Sequence, residues 1–483
     1  MDVKRTGIVL KPSNSRVVIR PFEIPSENRV EKIIARVASL SDSEVETNLD
    51  KVMSDFRDRH QRTREFLFHR FDQVRRFLIT DQPVTDSRKL LIGSYFTNEY
   101  ALESAALFNP SMIPHPDQSG LAAGWLRFIV SLRATGEGHI SSITFRSGLI
   151  DADNLIHMDE PTRFVAAPDL LPNALYEKTL FYRKLAEMET NGPLTASVMA
   201  MLGDEFTLGD LEKAIRQVTR SNRANQREFE PIAHVMLLLA KANYEIKFSP
   251  DLDVSERIIF PSSPAETNGI EDARFVRFTY DDGRVTYYAT YTAYDGRVIL
   301  PQMLETEDFL HFKVRTLNGP EVRNKGFALF PRMVNGQYAM LSRQDNENIF
   351  LMYSDLPHFW YIKELIAKPT YPWEYVQLGN CGSPIETEAG WLVLTHGVGP
   401  MRKYAIGAFL LDRDDPSKVI GRLATPLLEP NANEREGYVP NVVYSCGPLL
   451  HGRELIIPYA MSDYASSFAT VPLDDVLNAM TRV

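Results

Sequence analysis

The sequence predicts a mainly β protein, a five-bladed β-propeller that carries an N-terminal helical segment and a helical insertion. Three observations predict it. From about residue 275 onward, short stretches rich in β-branched and aromatic residues alternate with Gly, Asn, Asp and Pro turns. Four units there share one rhythm: an entry strand, a polar turn with Gly, and an aromatic-bearing central strand. They begin near 275, 327, 383 and 441, and starts 52 to 58 residues apart with several strands per unit are a signature of propeller blades. The segment 108–148, FNPSMIPHPDQSGLAAGWLRFIVSLRATGEGHISSITFRSG, repeats the strand–turn–strand order and supplies a fifth blade.

Residues 1–100 read as an N-terminal extension, largely helical. Within it, Ser43 and Glu46 form a capping-box pattern, and Val45, Leu49, Val52, Met53 and Phe56 recur at helical spacing. Phe68, Phe71, Val74, Phe77 and Leu78 extend that face, so one helical stretch is expected over about 43–78. Residues 101–172 form the first blade, and 173–245 a helical insertion with Leu211, Ala214, Ile215 and Val218 on one face. The remaining blades occupy 246–483. Both helical blocks are expected to pack together as a satellite bundle, and to offer a surface for a homo-oligomer.

Composition narrows the partners. A net charge of −10, from 63 acidic and 53 basic residues, gives no footprint for nucleic acid. No apolar run is long enough to span a bilayer, and the first twenty residues lack a continuous apolar core for a signal peptide. Cys381 and Cys446 are too few for a disulfide framework, which fits a cytoplasmic protein. No pair of His residues has metal-ligand spacing, and G-x-S-x-G, Walker A and G-x-G-x-x-G stretches are absent. The acidic run GLIDADNLIHMDEP lacks the Gly and terminal Glu of an EF-hand loop. Neither a metal nor a cofactor is expected.

Propeller geometry brings polar residues placed alike in each repeat to one mouth of the central channel. Arg133, Asp272 with Arg274, Arg343, His396 and Asp463 are so placed. In NGIEDARF (268–275), alternation along a strand turns only one of Glu271 and Asp272 toward the channel. A carboxylic acid in a half-closed pocket can protonate the oxygen leaving a sugar, although a structural ion pair with Arg274 is the plainer account of such a string. Arg343, His396, Arg402 and Lys403 make an anion cradle. For Arg343 the plainer account is a salt bridge to Asp345 or Glu347. Among the aromatics Tyr288, Tyr291, Trp360, Trp373 and Tyr438, core packing is expected for most, with Tyr294 and Tyr404 the exceptions.

The runs GIEDARF, YTAYDGR, NKGFALFPR, GNCGSPIETEAGWLVLTHGV, IGAFLLDRDDPSKVIGR and REGYVPNVVYSCG occur in an order that resembles glycoside hydrolase family 130, over roughly 100–150 and 245–480. That family contains β-mannoside phosphorylases and some β-mannosidases. The resemblance implies a five-bladed propeller and an inverting reaction on β-1,2- or β-1,4-linked manno-oligosaccharides. Asp272 is then the general acid, acting by relay through a mannose hydroxyl, and inorganic phosphate is the co-substrate that attacks the anomeric carbon to give α-mannose 1-phosphate. Arg343 and His396 sit where the family's phosphorylases have basic ligands, and Arg133 matches an arginine near the mannose and phosphate. With Arg402 and Lys403 added from the cradle, Arg343 and His396 are the expected phosphate ligands, and Asn109, Arg133, Arg274, Tyr294, Asp295, Tyr404 and Asp463 are the expected sugar ligands. Two departures stand out. Gln377 lies where the family usually has a lysine, and the acid motif reads EDAR where EDPR is commoner. The alternatives are an inverting β-mannosidase, with Glu347, Glu386 or Glu388 activating water, and a non-catalytic glycan-binding propeller.

Overall fold

The computed structural model describes residues 2–80, 82–171, 175–221, 226–296 and 299–482. The fold is mainly β, and most of it lies in five antiparallel sheets of four or more strands. Sheet I contains Ala106–Pro114, Leu126–Thr135, Ser141–Ile150 and Ile156–Met158, with Ile258–Ile259 on its far edge. Sheet II runs from Ile270–Thr279 through Val285–Tyr294, Ile299–Thr306 and His311–Thr316. Sheet III holds Ala328–Leu329, Tyr338–Ser342, Ile349–Ser354 and Lys363–Ala367. Sheet IV is built on Gln377–Asn380, Gly390–Val398, Tyr404–Leu411 and Val419–Arg422, and sheet V on Val443–Tyr444, Glu454–Met461 and Ala465–Pro472.

Each sheet is buried on both faces, and the period-2 alternation of its strands explains how. In VTYYATYTAY (285–294), Tyr287, Ala289, Tyr291 and Ala293 join a core with Ile129 and Phe145 of sheet I. Tyr288 points the other way, into a core with Leu329, Met340 and Met352 of sheet III. Trp391 and Val393 pack with Ala339 and Leu351 between sheets III and IV. Leu392 and Leu394, one residue out of step, pack with Leu455 and Ile457 between IV and V. Phe128 and Val130 of sheet I meet Ile456 and Phe468 of sheet V. Phe145 is fully buried, and withdrawing such a ring from water contributes roughly 2–3 kcal/mol.

The ends of the chain belong to these sheets. Lys4–Leu10 pairs antiparallel with Ala465–Pro472 on sheet V, so the N-terminal extension begins as an edge strand. Thr481–Arg482 pairs with Val419–Arg422 of sheet IV. Residues 169–171, which the sequence reading puts in the first unit, pair instead with Tyr244–Lys247 on the outer edge of sheet II. The expected boundary at 172–173 lies outside the described residues.

Four helices, Glu27–Ala38 (α1), Asp42–Phe56 (α2), Thr63–Val74 (α3) and Asp86–Ser94 (α4), lie in the chain between Ser13–Pro21 and Thr97–Glu103, two strands that pair antiparallel with each other. The single stretch expected over 43–78 is thus two helices, because the polar run RDRHQR (57–62) offers no apolar residue to continue the buried face. The capping box is Ser41 with Glu44, two residues earlier than expected. That start buries Val45 and Leu49. A second block comprises Lys178–Glu187 (α5), Pro193–Ala200 (α6), Leu208–Ser221 (α7) and Gln226–Lys241 (α8). The two blocks do not share a bundle core: Ile34, Phe71 and Leu91 form one cluster, while Phe181, Leu211 and Met236 form another. Among the described residues no helix is long and apolar enough to cross a membrane.

Candidate active site

Strand ends from all five sheets meet at a shared cleft. Asn109 and Arg133 come from sheet I, Asp272 from sheet II, and Arg343 from the end of a sheet III strand. Gln377, His396 and Tyr404 come from sheet IV, and Tyr444 and Asp463 from sheet V. A smaller adjoining cavity shares Asp272, Lys325, Arg343 and Tyr444, and adds Arg274, Thr290, Tyr291 and Thr292.

Asp272 is set by its backbone. The register between Ile270–Thr279 and Val285–Tyr294 slips between Glu271 and Arg274, and Asp272 sits in that bulge at φ 54°. A bulge breaks alternation and re-aims a side chain. Both acids therefore reach Arg133, Glu271 at 2.9 Å and Asp272 at 3.5 Å, although Asp272 alone of the two lines the cleft. Asn109, itself at φ 51°, donates from Nδ2 to Asp272 Oδ1 at 2.6 Å. Burial pushes the Asp272 carboxyl up, but the charges of Arg133, Lys325 and Arg274 and the Asn109 hydrogen bond outweigh it and hold it below its ordinary value. Asp463, at φ 52°, goes the other way: burial and the neighbouring Asp272 push it up to about 6.

Arg274 makes no ion pair with Asp272. Its guanidinium donates to the Asn380 carbonyl at 3.0 Å, to the Asn380 side chain, and to the Tyr444 hydroxyl at 2.6 Å. It ties the inner strands of sheets II, IV and V together. Arg343 is likewise not paired with Asp345 or Glu347: Asp345 caps the backbone amides of Glu347 and Asn348. Instead Arg343 Nη1 donates to His396 Nε2 at 2.8 Å, and Gln377, with its amide oxygen turned inward, accepts from Nη2 at 3.2 Å. Burial, together with the Arg343 and Arg274 charges, holds His396 well below its ordinary pKa, so the ring is neutral and accepts. His396 also stacks on Tyr404, with ring centroids 6.0 Å apart. Among the described residues, Asn109 Oδ1, Arg133 Nε and Arg343 Nε are buried polar atoms without a partner, hydrogen-bonding capacity unspent around one cleft.

Other expected residues fall differently. Arg402 lines the cleft, but Lys403 turns out of it and pairs with Glu429 at 2.8 Å. Met401 and Arg402 both have left-handed backbone, φ 58° and 56°, and that turn sends successive side chains to different sides. Tyr294 and Asp295 are not among the lining residues; Tyr294 donates to the Gly296 carbonyl at 3.1 Å. Tyr438, grouped with the core aromatics, is 70% exposed. None of Glu347, Glu386 and Glu388 lines the cleft, and Glu386 is held by Arg332 at 2.6 Å and Arg413 at 3.2 Å. Lys325 was missed by the sequence reading, and it lines both cavities with its ammonium 3.7 Å from Glu271. Its signal was its place just ahead of an entry strand, the place Asp272 holds in the preceding unit. Among the described residues no group of three or more His, Cys, Asp or Glu is arranged to hold a metal. Cys381 and Cys446 are free and buried.

Residues 224–482 match the family model for glycoside hydrolase family 130, described as β-1,4-mannooligosaccharide phosphorylase. The chain belongs to that family. A 1,2-β-oligomannan phosphorylase of a Thermoanaerobacter strain is 36% identical over 219 residues, which covers 44% of this chain and 71% of the relative. A β-1,2-mannobiose phosphorylase of Listeria innocua is 30% identical over 230 residues, 46% of this chain and 63% of its own. A β-1,4-mannooligosaccharide phosphorylase of Ruminococcus albus is 34% identical over 168 residues, 32% of this chain and 50% of its own. This family 130 member is therefore a carbohydrate-active enzyme, and its residues 1–223 lie outside the matched region.

Proposed function

We propose that this enzyme is an inverting β-mannoside phosphorylase, cleaving β-1,2- or β-1,4-linked manno-oligosaccharides with inorganic phosphate to give α-mannose 1-phosphate. The observation that carries it is a single cleft in which the Asp272 carboxyl faces a cluster of Lys325, Arg343 and Arg402, with Asp463 the other carboxyl of its lining. Phosphorolysis needs one acid and an anion site, because phosphate is already a nucleophile. Hydrolysis needs a second carboxylate to activate water; the glutamates expected to serve are turned elsewhere, and Asp463, close to Asp272 and Arg133, is read here as a sugar contact. The named activities of the relatives support the same substrate class.

In this mechanism Asp272 gives its proton to the departing oxygen through a mannose hydroxyl. Asn109 and Arg133 fix the carboxyl, and Arg133, Asp463 and Tyr404 are the sugar contacts. Arg343 takes the phosphate, aimed by His396 and Gln377, with Lys325 in place of the lysine missing at 377. We further propose that the five sheets are the blades of a propeller, residues 101–172 and 246–483 supplying them, with 1–100 and 173–245 as additions. Sheet I packs on II, II on III, III on IV, IV on V, and V on I, which supports a closed ring.

The test is phosphate dependence. Purified enzyme with β-1,2- or β-1,4-mannobiose is expected to form mannose 1-phosphate, followed by phosphorus NMR, only when phosphate is supplied. Asp272→Asn is expected to lose about 100-fold or more in kcat while still binding the sugar. Phosphate-independent release of mannose at the full rate overturns phosphorolysis in favour of hydrolysis.

A further inference from the structure

Tyr438 is an exposed aromatic next to the cleft, and it is not alone. The adjacent Val439, with Val442, lines the cleft wall. The Tyr438 ring stacks on His139, with centroids 5.4 Å apart and planes 30° apart. His139 is also exposed, at the tip of the sheet I hairpin whose descending strand carries Arg133. An exposed pair of flat rings thus joins the sheet I hairpin tip to the loop that precedes sheet V, one residue from the cleft-lining Val439. His139 is held at φ 58°, a conformation that costs a non-glycine residue and persists only where its surroundings enforce it.

The surroundings that enforce it come from the N-terminal extension. On the His139 side, the Tyr100 hydroxyl donates to the carbonyls of Glu137 at 2.9 Å and Ile140 at 3.1 Å, gripping the hairpin tip. Tyr100 is itself buried against Phe260. On the Tyr438 side, Arg5 makes a two-pronged ion pair with Glu434 at 2.7 and 3.0 Å. The Glu434 carboxylate also accepts from the Tyr459 hydroxyl, and its carbonyl from the Ser462 hydroxyl. From there the loop 435–441 closes on itself through Arg435 and Asn441, and is tied to the cleft residue Tyr404 by the Tyr404 amide and the Asn441 carbonyl. Both halves of the stack are thus anchored by residues outside the region the family model matches.

We propose that the His139–Tyr438 stack is the platform for the sugar ring beyond the cleaved bond, and that the N-terminal extension holds it and so sets oligosaccharide preference. This rests on the mannoside reading above. A sugar presents an apolar face of C–H groups, and flat, rigid, half-polar rings bind such a face at little entropic cost. The platform is two flat rings with no carboxylate, ammonium or guanidinium, which suits a neutral acceptor and separates it from the anion site deeper in the cleft.

The experiment is calorimetry with β-1,2-mannotriose, mannose and inorganic phosphate, on the full chain, alongside phosphorolysis kinetics. Tyr438→Ala is expected to weaken mannotriose binding about tenfold while mannose and phosphate bind as in the wild type. His139→Ala is expected to do the same, and Tyr438→Phe to restore wild-type affinity. Arg5→Ala, which releases the Glu434 carboxylate and the Glu429 carbonyl, is expected to raise the oligosaccharide KM several-fold without lowering kcat. Equal mannotriose affinity in wild type and Tyr438→Ala overturns the proposal. A wild type that binds mannotriose, loses it on Tyr438→Ala and yet cleaves nothing supports the platform and sinks the catalytic reading alone.

Discussion

Gly379→Ala probes the anion cradle without touching a charged group. Gly379 lies directly opposite His396 across the sheet, in the strand Gln377–Asn380. A Cβ added there would lie 2.4 Å from His396 Cε1, 2.7 Å from Nε2 and 2.8 Å from Arg343 Nη1. Ordinary van der Waals contact begins near 3.4 Å, so the ring or the guanidinium must retreat by roughly 1 Å. Both are buried and close-packed, and the 2.8 Å hydrogen bond between them cannot survive that movement intact. A hydrogen bond to a charged group is worth about 1.5–3 kcal/mol, which becomes a rise of about 10- to 150-fold in the KM for phosphate. The backbone at Gly379 is outside the left-handed region, so alanine meets no conformational penalty and the effect is steric alone. Initial rates of phosphorolysis at saturating sugar and varied phosphate read it, with sugar affinity by calorimetry as the control. An unchanged phosphate KM would refute the assignment of Arg343 and His396 to the cradle.

The pH dependence has a sign fixed by the cleft. Asp272 is depressed in the free protein, so it must gain a proton before it can donate one, and a bound phosphate dianion raises it by offsetting the charges that depress it. The alkaline limb of kcat is therefore expected at higher pH than that of kcat/KM, and coincident limbs would contradict the coupling. Asp463, pushed up to about 6, changes charge in the working range, and Asp463→Asn is expected to remove an inflection near that pH. Away from the cleft, Glu103 is fully buried and binds Arg16 at 2.9 Å and Arg146 at 2.8 Å, joining the N-terminal strand pair to sheet I. Glu103→Ala strands two buried guanidiniums and is expected to cost about 3–5 kcal/mol in urea unfolding, and a loss below about 1 kcal/mol would show the cluster is not a structural tie.

Recurrence along the chain made much of this cleft legible. Arg133, Asp272, Arg343, His396 and Asp463 sit alike in their units, and the structure brings all five to one cavity. Recurrence says which strand end a residue occupies, but not how the backbone is wound there. Asp272, Arg402 and Asp463 all have left-handed φ, and at each the simple alternation of faces fails. That is why Glu271 shares a partner with Asp272, and why Lys403 faces Glu429 rather than the cleft. Lys325 was missed although it stands just ahead of its entry strand, as Asp272 does in the preceding unit. Long-range pairing was equally hidden: nothing local in KRTGIVL says that it lies against residues 465–472. The helical blocks were visible as helices through their apolar spacing, yet their separate cores depend on where the sheets hold them.

Charge counting inside the cleft explains why an acidic protein can hold an anion. Arg133, Arg274, Lys325, Arg343 and Arg402 bring five cationic groups to the two adjoining cavities, against the two carboxyls that line them, Asp272 and Asp463. That local surplus suits a phosphate anion, although the whole chain carries −10. His396, being neutral, adds no charge and instead aims Arg343. Gln377 takes the same part from the other side, where a lysine would place a second cation against the guanidinium. With Lys325 already facing the cleft, a cation at 377 is expected to repel Arg343 more than it attracts phosphate. Gln377→Lys should therefore raise the phosphate KM, and a lower KM would mean that the surplus of charge, not the aim of Arg343, governs binding.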